Sequence, residues 1–277
     1  MSESKQMSIG VDAGGTLIKI AYSGKHTNRG AEPETMKIPT SRIREAADWI
    51  ARHPEAKVCL TGGKSRVLTS LLQRETSQLG EFDATVGGAL YLLKRDGVEL
   101  DSFILTNAGT GTSVHHVASS GSHRIIGTGV GGGTVMGLSA LLTGESDFDS
   151  IVKASADGDR ERVDLLVSHI YEGAIPPIPG DLTASNFGYV LQSKETPQKA
   201  DVLASVLGLV GETITTVSVM AAALAGTNQV VYAGSLFDVN PPLTEIVARY
   251  TRIRECEPVM LANGGFCGAI GAWLTFA

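Results

Sequence analysis

A chain of 277 residues, 43% hydrophobic and 19% charged, has enough apolar side chain for one large or two ordinary domains, which excludes wholesale disorder. Its net charge of −6 is the wrong sign for a surface that binds nucleic acid or an anionic membrane, so we expect neither partner. Three widely separated cysteines, Cys59, Cys256 and Cys267, form no disulfide or metal-binding pattern and favour the reducing cytoplasm. The first ten residues contain no apolar leader.

The first predicted elements are two strands joined by a glycine turn. Apolar residues over 7–12 and 17–22 flank Gly14 and Gly15, a pattern that is typical of an antiparallel hairpin. Helical periodicity and buried apolar runs then predict a helix over 41–53, a strand over 57–61 and a helix from about 83 to 95.

A similar pattern restarts near residue 100 and predicts a second α/β unit. Strands over 102–106, 113–118 and 122–126 come first, and the glycine run 127–134 leads into a helix over 135–142. The later predicted elements are a helical segment over 146–171, a proline-rich loop over 173–181, helices over 200–225, 243–250 and 266–275, and strands over 230–233 and 258–261. We therefore expect an N-terminal lobe of residues 1–100 and a C-terminal lobe of residues 101–277, with a cleft between them.

One uncharged run, 213–237, is long enough to raise the question of a membrane span. A turn at 226–229 divides it into the end of a helix and a short strand. A buried core helix is therefore the better interpretation.

Four glycine turns follow short strands, at 12–16, 109–112, 127–134 and 234–235. Glycine removes the Cβ that keeps a backbone N–H away from an anion, and the neighbouring threonine and serine residues add hydroxyl donors. The third turn opens a helix, whose amino terminus favours negative charge. A single turn of this kind is most simply a tight turn, whereas four interleaved with strands favour a polyphosphate held between two lobes.

Two common nucleotide-binding motifs fit poorly. No glycine cluster ends in Gly-Lys-Ser or Gly-Lys-Thr, so the P-loop pattern is absent. A GxGxxG occurs at Gly127, Gly129 and Gly132, with Asp147 and Asp149 about 20 residues further on, as a dinucleotide fold requires. The strands before it read as an antiparallel ribbon, however, which argues against that fold.

The segment DAGGTLIK at 12–19 resembles the first phosphate loop of the actin-like ATPase superfamily. NAGTGT at 107–112 resembles its second phosphate loop, and VVYAGS at 230–235 its adenosine loop. The resemblance implies a two-lobed α/β fold of the ribonuclease H-like type, with mixed sheets flanked by helices.

Within that superfamily the chain resembles the type II pantothenate kinases over nearly its whole length. EFDA at 81–84 and PPIPGDLTASNFG at 176–188 carry most of this assignment, because they are not general features of the superfamily. The resemblance implies ATP- and Mg²⁺-dependent phosphorylation of pantothenate to 4′-phosphopantothenate, the first step of coenzyme A biosynthesis. It also implies a homodimer, and it leaves pantetheine open as a further substrate.

The resemblance assigns roles to single residues. Glu81 matches the catalytic base, with Asp83 the second candidate; the plainer alternative for Glu81 is a charge that stabilises a helix amino terminus. Asp12 would hold Mg²⁺ through water, or would simply bond the amides of its own turn. Ser113 and Arg124 match pantothenate-binding positions, and a guanidinium suits a substrate that bears amide and carboxylate groups. For Arg124 the alternative is an ordinary charge on a strand surface.

Sixteen positions match the family's ATP-contacting residues. They are Asp12, Ala13, Gly14, Gly15, Thr16, Leu17, Ile18, Lys19, Thr110, Gly132, Gly133, Thr134, Val135, Met136, Phe148 and Ser235. Two have clear alternatives: Lys19 as a surface charge of its strand, and Phe148 as a core residue.

Two other functions remain open on this fold. An N-acetylglucosamine-type sugar kinase shares the glycine turn at 12–16 but has no reason to carry the two family-specific segments. A non-catalytic ATP-switch activator with an iron–sulfur cluster would need closely placed cysteines, which the sequence does not obviously supply.

Overall fold

The computed structural model describes residues 6–23, 32–171 and 173–277; residues 1–5, part of the segment in which we expect no leader, lie outside it. The strands are β1 (Ser8–Ala13), β2 (Leu17–Tyr22), β3 (Glu34–Pro39), β4 (Lys57–Thr61), β5 (Ser77–Gln78), β6 (Ser102–Ala108), β7 (Thr112–Ala118), β8 (Gly121–Thr128), β9 (Leu165–Leu166), β10 (Thr183–Ser185), β11 (Gln229–Ala233) and β12 (Glu257–Met260). The α-helices are α1 (Ile43–Ala51), α2 (Ser65–Leu72), α3 (Glu81–Arg95), α4 (Gly132–Thr143), α5 (Phe148–Ser155), α6 (Val167–Tyr171), α7 (Lys199–Ala225), α8 (Pro241–Ile253) and α9 (Cys267–Leu274).

The two five-stranded mixed sheets have the same topology. Their strand orders are β3-β2-β1-β4-β5 and β8-β7-β6-β11-β12. In each, the first three strands along the chain are antiparallel and the last two run parallel to the central strand. The predicted restart of the pattern near residue 100 therefore corresponds to a second sheet of the same topology.

The β1–β2 hairpin shows how alternation sets the two faces of a strand. Ile18 and Ile20 are fully buried, whereas Lys19 points to the opposite face and lies across from Asp12 in the register. The predicted hairpin is therefore present, and its glycine turn lies at the end of the strands where the two polar residues meet.

Helices α3 and α9 form a layer between the two sheets. α9 packs on β1, β2 and β4, and α3 packs on α9 and β6. Because both helices are covered on several sides, α9 is buried over seven consecutive residues, 267–273, and has no polar face. The other layers lie outside: α1 and α2 cover the first sheet, and α4, α5, α7 and α8 cover the second.

Glycines bring α3 and α9 into direct backbone contact. A Cβ at Gly88 would lie 1.9 Å from the carbonyl oxygen of Cys267, and one at Gly271 would lie 1.9 Å from that of Ala84. On the other side of α9, a Cβ at Gly10 of β1 would lie 2.1 Å from the amide nitrogen of Trp273. No larger residue fits at these positions without moving a helix.

Helix α7 is, among the described residues, the one helix long and apolar enough to cross a membrane. Its most apolar window is 61% buried inside the protein. Its inner face packs against α4, α5, α8 and the second sheet, and the Ser218 hydroxyl lies 2.7 Å from the Thr106 hydroxyl in the interior. These contacts are those of a core helix, as the turn at 226–229 predicts.

The prediction of continuous helical structure over 146–171 is wrong. α5 ends at Ser155, and the chain then passes through a turn at Arg160–Arg162, the short strand β9 and α6. Beyond the end of α5, the chain passes close to α7 at Gly158, where a Cβ would lie 2.2 Å from the carbonyl oxygen of Ala200, so only glycine fits. The sequence patterns also gave no indication of β3 or α2.

A partly buried polar network ties the family-specific segment 176–188 to α7. Arg160 donates to the Asp164 carboxylate at 2.8 Å and to the Thr183 hydroxyl at 3.1 Å, and Asn186 donates to Glu212 at 3.1 Å. Charge-assisted bonds of this kind fix geometry where little water can compete. The family-specific residues 176–188 therefore meet the body of the second lobe through these side chains.

The helix contact predicts unequal effects of two neighbouring substitutions. We expect Gly88→Ala to lower the free energy of unfolding by about 3 kcal/mol, because the added methyl meets backbone that cannot move aside. Gly87→Ala is the matched control: its Cβ would lie 4.0 Å from Gly271, so the change stays within about 1 kcal/mol. Urea unfolding of both variants measures this, and equal stabilities would contradict the proposed contact.

Candidate active site

The four predicted glycine turns meet at one place between the lobes. The Thr16 hydroxyl of the first turn lies 3.0 Å from the Thr110 hydroxyl of the second. The amide of Gly133 in the third turn donates to the Thr110 carbonyl at 2.9 Å, and the Leu236 amide beyond the fourth donates to the Ala108 carbonyl at 3.1 Å. Turns that are more than 200 residues apart in sequence therefore form one surface.

Close backbone approach explains the glycines of the third and fourth turns. A Cβ at Gly131 would lie 2.8 Å from the carbonyl oxygen of Thr110. Gly234 has φ +106°, and a Cβ there would lie 2.2 Å from the Ala108 carbonyl oxygen. Both positions require a residue without a side chain, and Gly234 also requires the left-handed backbone that glycine adopts readily.

The amino terminus of α4 is joined to the second turn. The amides of Gly132 and Gly133 donate to the carbonyls of Gly109 and Thr110, so both are already paired inside the protein. An anion at this end of α4 would therefore interact with the positive end of the helix dipole rather than with those two amides.

The predicted ATP-contacting residues differ in how far they are exposed to solvent. Ala13, Ile18 and Val135 are fully buried in the cores, backbone included, so the structure leaves none of these three residues open to a ligand. Phe148 begins α5 and packs against the core of the second lobe. Ser235 directly follows Gly234 and is partly exposed.

Asp12 and Lys19 form an ion pair at the end of the hairpin, with Nζ–Oδ2 3.3 Å and both side chains mostly buried. Two glycines make room for the carboxylate: a Cβ at Gly62 would lie 2.6 Å from Oδ1, and one at Gly268 would lie 3.0 Å from Oδ2. Gly268 also belongs to the first turn of α9, whose dipole favours a negative charge there.

A divalent cation fits this carboxylate in one particular way. Over the part of the chain that the structure describes, no three His, Cys, Asp or Glu side chains converge into a metal-binding group. A cation beside Asp12 would therefore take its other ligands from phosphate oxygens and water, which is how Mg²⁺ commonly binds with nucleotides.

Glu81 is the first residue of α3 and faces the same region. Burial raises the pKa of its carboxyl group above the ordinary value, the negative charge of Asp12 raises this pKa further, and the Lys19 ammonium lowers it. The side chain of Asp83 turns back toward the start of the helix, where its Oδ2 would lie 2.8 Å from a Cβ on Gly80. Of the two candidate bases, Glu81 is therefore the one coupled electrostatically to Asp12 and Lys19.

Arg124 and Ser113 approach the site from the second lobe. The Arg124 guanidinium lies over the ring of Phe82, with its Cζ 5.6 Å from the ring centroid, which brings it beside the residue that follows Glu81. The Ser113 hydroxyl lies 3.1 Å from Nε2 of His115, and the His115 ring packs against the Phe82 ring with 4.9 Å between the centroids. Sequence reasoning gave Phe82 and His115 no part in the site, although Phe82 lies within the family-specific block.

A second contact between the lobes lies away from Glu81. Lys37 of β3 pairs with Asp238 and lies over the ring of Phe266, 5.1 Å from its centroid. These residues border a cavity of about 450 Å³ that none of the predicted site residues lines. No sequence pattern indicates this cavity, because the largely exposed strand β3 carries no apolar run.

Comparison with known proteins identifies relatives over nearly the whole chain. The model of the Fumble family matches residues 8–275. The type II pantothenate kinase of Staphylococcus haemolyticus is 42% identical, over 96% of this chain and 98% of that protein, and that of Bacillus anthracis is 39% identical, over 97% of each.

Solved structures share the fold at low sequence identity. The activator of 2-hydroxyisocaproyl-CoA dehydratase from Clostridium difficile, with bound ADPNP, has a TM-score of 0.63 at 15% identity and covers 98% of this chain and 94% of that one. A ROK family glucokinase from Streptomyces griseus, in complex with glucose and AMPPNP, has a TM-score of 0.56 at 16% identity and covers 98% and 99%. These similarities confirm the predicted two-lobed actin-like fold.

The first turn offers a direct test of phosphate binding. A Cβ at Gly15 would meet no atom closer than the Thr110 hydroxyl at 3.9 Å, so Gly15→Ala is expected to leave the thermal midpoint unchanged. The methyl group would, however, narrow the space between the first two turns, and we expect ATP affinity to fall about tenfold. Calorimetric titration with ATP measures this, and unchanged affinity would contradict phosphate binding at this turn.

Proposed function

The chain belongs to the Fumble family, and we propose on that basis that it is an ATP-dependent pantothenate kinase. The reaction transfers the terminal phosphoryl group of ATP to the hydroxyl of pantothenate and gives 4′-phosphopantothenate, the first step of coenzyme A biosynthesis. The observation that carries the proposal is the 42% identity to a type II pantothenate kinase over 96% of this chain. Pantetheine has the same hydroxyl group and is included as a second acceptor.

Glu81 is proposed to accept the proton of the attacking hydroxyl. Phosphoryl transfer depends mainly on positioning and charge neutralisation, with one group to take that proton. A carboxyl group whose pKa is raised by burial and by Asp12 is a better proton acceptor than an ordinary surface carboxylate. This supports Glu81 over Asp83.

The other residues are proposed to hold the two substrates. The glycine turns and Thr110 bind the phosphates, and Arg124 and Ser113 hold pantothenate beside Glu81. Asp12 holds Mg²⁺, which when bound neutralises charge on the phosphate oxygens. Lys19, already paired with Asp12, orients that carboxylate and adds positive charge.

The two rival functions are not favoured. Cys59, Cys256 and Cys267 are all buried and lie in β4, before β12 and at the start of α9, which does not suit a cluster shared between two chains. The sugar kinase named above is only 16% identical, a likeness that supports the fold alone.

We also propose a cytoplasmic homodimer. The buried, unpaired cysteines support a reducing compartment. Large apolar side chains of two packed helices support a partner surface: Leu141 of α4 is 83% exposed and Leu224 of α7 is 81% exposed.

The proposed base predicts a specific loss of turnover. We expect Glu81→Gln to lower kcat by about 10²–10⁴-fold with pantothenate, because Gln keeps the shape but cannot take the proton. ATP affinity should be unchanged and KM for pantothenate should move less than kcat. Asp83→Asn is the matched control in the same helical turn; if it rather than Glu81→Gln abolished turnover, Asp83 would be the base.

The charges around Glu81 predict the pH dependence. The base acts when deprotonated, so activity falls as the pH drops through its raised pKa, at higher pH than for an ordinary glutamate. Lys19 lowers this pKa, so Lys19→Met should move the acid limb of the kcat profile to higher pH. A limb that stays in place or moves to lower pH would exclude Glu81 as the titrating group.

A further inference from the structure

Phe82 connects the two halves of the proposed substrate site. Its ring lies 4.9 Å from the ring of His115 and 5.6 Å from the guanidinium carbon of Arg124, centroid distances within the range of aromatic and cation–π contacts. Phe82 is 45% exposed although it is large and apolar, whereas His115 is only 1% exposed. A phenylalanine this exposed contributes little to the hydrophobic core. Its ring packs instead against Arg124 and His115, beside the proposed catalytic carboxylate.

Two neighbours contact the guanidinium of Arg124. The Phe82 ring lies 5.6 Å from its Cζ, and the backbone of Gly127 lies so close that a Cβ there would come within 2.2 Å of Nη2. The residues that the structure describes give Arg124 no ion pair and no side-chain hydrogen bond. Its donors are therefore available to a ligand, while its position depends on non-polar contacts.

A second cation–ring contact, that of Lys37, differs because its cation is paired with a carboxylate. Lys37 also lies over a phenylalanine, Phe266, just before α9, as Arg124 does at the start of α3. Asp238 neutralises Lys37, whereas no described carboxylate pairs with Arg124. Of two similar cation–ring contacts between the lobes, only the one beside Glu81 leaves the charge for a substrate.

His115 packs against the Phe82 ring without adding charge. Burial, together with the positive charges of Arg124 and His123, lowers its pKa to about 4, so the imidazole is neutral near pH 7 and does not repel Arg124. Its Nε2 bonds the Ser113 hydroxyl at 3.1 Å. The same stack therefore connects both proposed pantothenate-binding side chains to α3.

We propose that Phe82 is a positioning residue for phosphoryl transfer. Its ring keeps the Arg124 guanidinium beside the first turn of α3, which carries Glu81. The inference rests on the proposed function, since it takes Arg124 as a substrate-binding residue. Phe82 acts through Arg124, so its removal should weaken binding of the alcohol substrate and leave the nucleotide site intact.

Steady-state kinetics of Phe82→Leu tests the proposal. We expect KM for pantothenate to rise about three- to tenfold, KM for ATP to stay within about twofold and the thermal midpoint to be unchanged. Phe82→Tyr keeps the ring and should restore KM. Leu90→Ala is the matched control, because Leu90 lies on the same helix and is also 45% exposed; it should behave as the wild type.

The Arg124→Gln background separates positioning from other effects of Phe82. If Phe82 acts through Arg124, Phe82→Leu adds no further rise in KM when Arg124 is already replaced. The same fold-change in both backgrounds, or an unchanged KM in Phe82→Leu alone, would overturn the proposal.

A wild-type protein that does not phosphorylate pantothenate would refute the proposed function, and the NMR signal of the Arg124 side chain would then decide the inference. The Phe82 ring should shift the Nε–Hε resonance upfield, and Phe82→Leu should return it to the ordinary arginine position. A resonance that does not respond to this substitution would overturn the proposal whatever the substrate.

Discussion

Direct backbone contact between α3 and α9 is the constraint on which the site depends. Gly88 and Gly271 allow the helices to touch without intervening side chains, and each helix starts at a chemically important position. Glu81 opens α3, and Gly268 in the first turn of α9 lies against the Asp12 carboxylate. The separation of the two acidic groups therefore depends on how closely the two helices approach. Burial raises the pKa of Glu81, and the negative charge of Asp12 at this distance raises it further.

Local patterns predicted the parts of the fold that local forces determine. The hairpin of β1 and β2, the antiparallel ribbon β6–β8 and α7 follow from alternation, apolar runs and glycine positions within short windows. The resemblance supplied the fold and the family, both confirmed by the comparisons. It also indicated Thr16, Thr110 and Gly132, which the structure brings to one surface although they are distant in sequence.

The rest of the fold and of the candidate site depends on contacts between residues that lie far apart in the sequence. Strand β3 is largely exposed, so its sequence lacks the apolar run that marks a buried strand, and Lys37 was missed with it. Residues 156–166 follow Gly158 and the Arg160 network rather than helical periodicity. Phe82, His115 and Arg124 meet across three elements, and only the folded chain shows that an aromatic residue beside Glu81 contacts both.

The position of helix α7 in the sequence affects how the chain folds during synthesis. Most of the elements that cover its apolar face, namely β6, β7, α4 and α5, precede it in the sequence and have left the ribosome when it emerges. Only α8 and β11 arrive later. A segment apolar enough to enter a bilayer therefore finds much of its cover already made when it emerges. The side that packs against α8 and β11 stays uncovered, and open to chaperones, until those elements follow.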